Sequence, residues 1–281
     1  MIPAPAPLEW AAVGEGAVVV ATPTRSWLHH PTNLSDPFRF SMTCPGTTAT
    51  TERLLDGAIA AGLRAGARGG TPAPPLTLTR WVGRLVSYYH LTHSTPGLLV
   101  ETARRFTAAG RPALAAWATE KAHEEHAHDR LALRDLDELG YDAGITAVRP
   151  PTAGAMVDWF RAATEVEPLP LGVVAYAHTV ERLALTQDAA AIAAVRAVLP
   201  PGSRAIRCLR VHSALGSDVS HVRDNVLLVS SLPATERAAI ALACWQVAAL
   251  FSATPDEGHQ NDAALAALFR PWRRSHGGQD G

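Results

Sequence analysis

The stretch Glu120–Gly140, EKAHEEHAHDRLALRDLDELG, puts three histidines and a run of acids inside a segment whose apolar spacing is that of a long, buried helix. Ionisable groups in a core are costly unless something pairs them, and a metal ion is a common partner of a Glu-x-x-His pair. Pro112 stands where a first-turn proline belongs and Gly140 where a C-terminal cap belongs. A helix turns by about 100° per residue. With Glu125 at zero, Leu114, Ala118, Ala132, Leu136 and Leu139 all fall within roughly 40° of it. His128 lies about 60° to one side and Asp129 about 40° to the other. Glu124 and His126 sit at the margins, and Glu120 and His123 point away. Glu125 and His128 therefore read as buried, while Glu120, His123 and His126 read as solvated. The competing reading is a surface helix carrying a chance cluster of acids and histidines.

Composition bounds the partners. The chain has 281 residues, 47% of them hydrophobic, and a net charge of -1. That is enough chain for one large core or two small ones. A near-neutral balance argues against nucleic acid, which would call for a basic stripe. Lys121 is the only lysine among abundant arginines. Cys44, Cys208 and Cys244 are few and far apart, and read as reduced thiols rather than a disulfide frame or a zinc site. The opening MIPAPAPLEW has neither a basic nor an apolar leader region, and no apolar run is long enough to span a membrane. Gly-rich phosphate loops, a nucleophile elbow and zinc-finger spacing are absent from the sequence.

Residues 1–50 are rich in Pro, Thr and Ser, with Ala17–Ala21 as the one clear strand candidate. They read as an irregular arm or lid, tied down by Trp10, Trp27, Phe38 and Phe40. Helical spacing follows at Thr51–Arg68, Leu78–His93, Pro96–Ala109, Pro112–Leu139, Thr152–Thr164, Leu171–Thr186, Ala189–Leu199, Arg204–Ser231 and Ala234–Ser252. Thr71–Pro75 reads as a linker. The expectation is an all-α domain of about seven or more helices.

Two further helices carry polar groups on apolar faces. In Leu171–Thr186, Glu181 shares a face with Val174, Ala177 and Leu185, and His178 lies one turn back. An arginine from another helix is the bland partner for this acid. In Arg204–Ser231, Asp218 and His221 are spaced to share a face with Ala214, Asn225 and Leu228. His212 lies about 180° from His221 on an ideal helix. It could join a site only if Gly216 marks a distortion such as a π-bulge; a surface or satisfied histidine is the preferred reading.

Taken together, EEHAHDRLALRDLDELG, an isolated Glu in an apolar helix and a late Asp-x-x-His resemble the haem-oxygenase-like diiron oxidases, also labelled iron-containing redox enzymes, over roughly residues 76–252. The resemblance implies a seven-helix bundle whose core carboxylates and histidines hold two irons that activate O₂. Members oxidise amino-acid-derived or fatty substrates in specialised metabolism. Carried over residue by residue, Glu125 and His128 take the Glu-x-x-His place, Glu181 the mid-chain Glu place, and Asp218 and His221 the Asp-x-x-His place. Two departures stand out. Ala214 occupies a position where the family usually has a histidine. Leu78–His93, the first core helix, has no acid where the family has a carboxylate, and offers His90 and His93 instead.

The resulting expectation is a haem-oxygenase-like bundle at 76–255, an arm with one helix at 1–75 packing on it, and a tail at 256–281. Its ligands would be Glu125, His128, Glu181, Asp218 and His221, with His93, His178, His212 and Glu124 as secondary candidates. Mixed carboxylate and imidazole donors suit one or two Fe(II) ions, with O₂ as cosubstrate, better than structural zinc. The expected partner is a small molecule, with a homodimer and a reductase left open and no nucleic acid or membrane. The expected location is cytoplasmic. The alternative is a metal-free binding or partner protein of the same fold; haem is disfavoured because nothing marks a proximal histidine beside an open slot.

Overall fold

In a computed structural model, residues 7–67, 74–214, 218–253 and 261–274 are described, with the side chains of Glu15 and Asp218 outside that description. Three antiparallel strands come first: β1 (Glu9–Ala12), β2 (Val18–Ala21) and β3 (Ser26–His29), paired in sequence order. β2 is buried along its whole length, as the unbroken run VVVA requires. Residues 1–50 thus contain a sheet where the sequence suggested an irregular arm with one strand. The missed strands are short and their alternation is broken by polar residues. The sheet packs on α1 (Thr48–Gly66) and on a late helix, α10 (Ala234–Ser252).

A capping box closes the start of α1: the Thr47 hydroxyl accepts from the Thr50 N–H, and the Thr50 hydroxyl accepts from the Thr47 N–H. Gly62 and Gly66 let α1 lie against α10, because a Cβ at either would strike the backbone of Trp245 or Ala249. α2 (Leu78–Ala108) is one helix where two were expected. Pro96 removes one backbone bond inside it. The helix continues because both flanks are anchored, Trp81, Val82, Leu85 and Val86 in one core cluster and Leu98, Leu99 and Phe106 in the other. The Thr92 and Thr95 hydroxyls also bond back to the Tyr88 and Leu91 carbonyls.

The expected long helix Pro112–Leu139 is two, α3 (Pro112–Glu124) and α4 (Asp129–Glu138), separated by a turn over residues 125–128. The turn is made of i→i+3 bonds, His128 N–H to Glu125 C=O among them, and Ala127 takes the left-handed φ of 65°. Histidine and aspartate are poor helix formers, so little opposes the break. Asp129 then opens α4 with a negative charge at its positive end. α5 (Pro151–Glu165) packs on α2. α6 (Leu171–Ala184) is buried nearly all round and packs between α5, α10 and α9 (Asp218–Ser230).

After α7 (Ala189–Val198), the expected helix Arg204–Ser231 is also interrupted. α8 (Arg207–Val211) stops at His212, and α9 begins at Asp218. α11 (Asp262–Phe269) packs on α2 through Phe269. The small sheet aside, the described chain is helical, and the fold is all-α.

Candidate metal centre

Both helix breaks fall at one place. The turn between α3 and α4 presents Glu125 and His128, and the end of α8 presents His212. Their donor atoms lie within 4.8 Å of one another, and they form the one such set among the described residues. The Glu125 Oε2 and His128 Nδ1 are 3.0 Å apart. The His128 and His212 rings meet edge to face, 4.9 Å between centroids. Burial raises the Glu125 carboxyl pKa, but the His128 hydrogen bond and the charges of His212, His128 and Lys121 outweigh it and hold the group below its ordinary value. Asp135, fully buried on α4, fixes where α8 begins: it accepts from Arg207 Nη1 at 2.8 Å and from the Cys208 N–H at 3.1 Å.

A second polar group adjoins the first. Lys121, 5% exposed, places its Nζ 2.9 Å from Glu124 Oε2 and 3.0 Å from Glu181 Oε1. Burial opposes its charge, but Glu181 and Glu124 more than offset this and raise its pKa. His221 Nε2 is 3.5 Å from Glu124, and its Nδ1 is 3.7 Å from Glu181. Asn225, fully buried on α9, donates to Glu181 Oε2 at 2.6 Å and accepts from the Trp117 indole N–H at 2.8 Å.

Of the sequence candidates, Glu125 and His128 come together as one set with His212, which a continuous helix would have turned away. Glu181, His221 and Glu124 gather around Lys121. His93 lies apart, on the surface, 58% exposed, bonded to Asp129 and stacked on Tyr89. His178 is buried, with neither ring nitrogen hydrogen-bonded. It does not line the cavity described below. The Asp218 side chain lies outside the described residues. Glu120, His123 and His126 are exposed. Lys121, Asp135 and Asn225 were not singled out as site residues. Lys121 had a signal: it lies one turn before Glu125, about 40° away on the same stripe.

Glu125, His212, Lys121 and Glu181 form the polar end of a cavity of about 160 Å³. The rest of its lining is mostly apolar, with Leu91, Leu99, Met156, Phe160, Val180 and Leu183 among it and Thr92, Thr95 and Gln187 as the exceptions besides two tyrosines. Tyr88 and Tyr176 also line it; burial pushes the Tyr88 hydroxyl up to about 12 and raises Tyr176 as well. The N-terminal sheet contributes no residue to this lining.

The donor set fits iron. Two imidazoles and one carboxylate, two of the three beside a cavity, are a donor set that would suit non-haem Fe(II). No cysteine joins them, as a structural zinc site would usually require. The fold and this cluster define a helical protein with a metal-competent core. A family model described as iron-containing redox enzyme matches residues 83–252, and the chain belongs to that family. Its function is accordingly iron-dependent redox chemistry. No curated protein and no solved structure shows a significant match to the chain. No helix among the described residues is long and apolar enough to cross a membrane.

Proposed function

We propose that this protein is an O₂-dependent oxidase or oxygenase in which Glu125, His128 and His212 hold the iron and the adjoining cavity holds a predominantly apolar small molecule. The observation that carries this reading is the convergence of two imidazoles and a carboxylate in a set of which Glu125 and His212 also line a largely apolar cavity. His212, two residues before Ala214, supplies the imidazole that the family places at the Ala214 position.

Iron bound there supplies one-electron chemistry with O₂ as co-substrate. The chain's own residues do the rest. Glu125 provides the anionic donor, and its depressed pKa keeps it ionised at neutral pH. His128 and His212 would each offer a ring nitrogen to the iron. Leu91, Leu99, Met156, Phe160 and Leu183 exclude water from the space beside the donors and give a substrate chain or ring an apolar bed. Tyr88 and Tyr176 keep their protons, so each offers an O–H at the cavity wall for a substrate oxygen or nitrogen.

The test is anaerobic loading with Fe(II), removal of loose metal, and measurement of O₂ uptake against a panel of fatty and aromatic amino-acid-derived compounds. The proposal expects retained iron and uptake stimulated by an apolar member of the panel. Protein that retains no iron above the His212→Ala level, or that consumes no O₂ with any of them, overturns it.

A further inference from the structure

The second polar group at this centre has the donors of a second metal position. Two carboxylates, Glu124 and Glu181, and one imidazole, His221, come from three different helices. They are not closed on one another as Glu125, His128 and His212 are. What stands between the two carboxylates is the Lys121 ammonium, at 2.9 and 3.0 Å. We infer that Lys121 serves as a built-in cation in the place of a second metal, so that the centre takes one iron, at Glu125, His128 and His212, and no other. This rests on the reading of those three residues as the iron site.

Three observations support it. Lys121 is 5% exposed, and its partner Glu181 is 6% exposed, so bulk solvent does not compensate these charges. A second metal there would compete with Lys121 for Glu124 Oε2 and Glu181 Oε1, beside a like charge. The balance also closes with one ion: Glu124, Glu125 and Glu181 against Lys121 leave a net charge of −2 among the described side chains, which one Fe(II) cancels. Finally, the chain has 25 cationic residues and only this one is lysine. Elsewhere arginine serves. Arg207 bridges Asp135 and Glu138 with two separate fork nitrogens, whereas the single compact Nζ of Lys121 meets both carboxylates at one point, as a metal ion would.

The arrangement gives Lys121 a function distinct from substrate binding. Its charge is spent on Glu124 and Glu181, and it fixes the side chains that would otherwise recruit a metal. Asn225, itself held by the Trp117 indole N–H, donates to Glu181 from the other side. The site is thereby built for a single redox ion.

The test compares wild type with Lys121→Met, which keeps an unbranched side chain one atom shorter and removes the charge. Both are loaded anaerobically with Fe(II), desalted, and assayed for iron by plasma emission; melting temperature is read with and without metal. Wild type should retain one iron per chain and Lys121→Met two. Without metal the variant should melt below wild type, and it should gain more from added Fe(II) or Mn(II), because binding replaces the lost charge. Adding Glu181→Gln to Lys121→Met should return the count to one. If Lys121→Met does not fold without metal, Lys121→Gln produced in iron-supplemented cells carries the same expectation. Two irons in wild type, or one iron in both proteins, overturns the assignment of Lys121 while leaving the iron site standing. No iron in either protein overturns both.

Discussion

His128 and His212 meet edge to face, ring planes at 80° and centroids 4.9 Å apart, although a continuous helix over Arg204–Ser231 would have turned His212 elsewhere. The contact exists because two helices stop. His128 follows the Glu125 turn, and His212 caps the five-residue α8. Irregular backbone at this one place is what brings three candidate metal donors from two distant segments into reach.

Removing a donor should therefore act on metal retention before it acts on the fold. Partners behind metal ligands already cost roughly 10–100-fold in affinity when removed. His212→Ala should weaken Fe(II) binding by about 100-fold or more, and His128→Ala likewise. His126→Ala, on the exposed side of the same turn, should leave binding unchanged. Equilibrium titration with Fe(II) under nitrogen would separate them; equal affinity for His212→Ala and His126→Ala would remove His212 from the site.

The N-terminal sheet is tied to the bundle by a buried ion pair. Glu9, fully buried, accepts from Arg237 Nε at 2.5 Å and from the Thr50 and Thr51 hydroxyls at 2.5 and 2.8 Å. Arg237 spends its other nitrogens on the Leu232 and Cys44 carbonyls. Removing one partner strands the other, at a cost of about 3–5 kcal/mol. Arg237→Met should lower the urea midpoint accordingly. The double change Glu9→Gln with Arg237→Met should cost less than the two single changes added together. Strict additivity would show that the pair is not coupled.

Much of the fold was legible in the sequence because its helices are long and strongly periodic. The stripe around Glu125 separated Glu125 and His128 from exposed Glu120, His123 and His126 by angle alone. What the pattern could not show was where regular helix ends for tertiary reasons. Angles computed on an unbroken Arg204–Ser231 sent His212 to the far side. The same assumption joined α3 to α4, and a proline rule split α2, whose two flanks are buried in separate core clusters. Lys121 was legible as a position but not as chemistry, since its meaning lies in Glu181 on another helix.

The turn itself carries measurable strain. Ala127 sits at φ 65°, a conformation that costs a non-glycine residue roughly 1–2 kcal/mol. Ala127→Gly relieves this but adds freedom to the unfolded chain, worth about 0.4–1 kcal/mol the other way. The net expectation is unchanged Fe(II) affinity and stability raised by between about 0 and 1.6 kcal/mol. An Ala→Gly change inside an ordinary helix does the opposite, so a variant destabilised by about 1 kcal/mol would show that residue 127 is helical in solution.

His178 sets an acid limit on stability that is independent of metal. Burial pushes its pKa down to about 4, with the Asp56 charge raising it and the Arg182 charge lowering it to a lesser extent. In the unfolded chain a histidine titrates near 6.5, as a general value. Above that pH both states are neutral, and His178 imposes no penalty. As pH falls from about 6.5 toward 4 the unfolded state takes up a proton that the folded state refuses, and stability is lost across that window. The loss from this residue should approach roughly 3 kcal/mol at the acid end. His178→Leu removes the titration and keeps an apolar group of similar volume in the core. Urea midpoints of the two proteins, measured at intervals from pH 7 to 4.5, should diverge in favour of His178→Leu as the pH drops. Parallel profiles over that range would mean that His178 either stays accessible to protons in the folded protein or finds a partner when protonated.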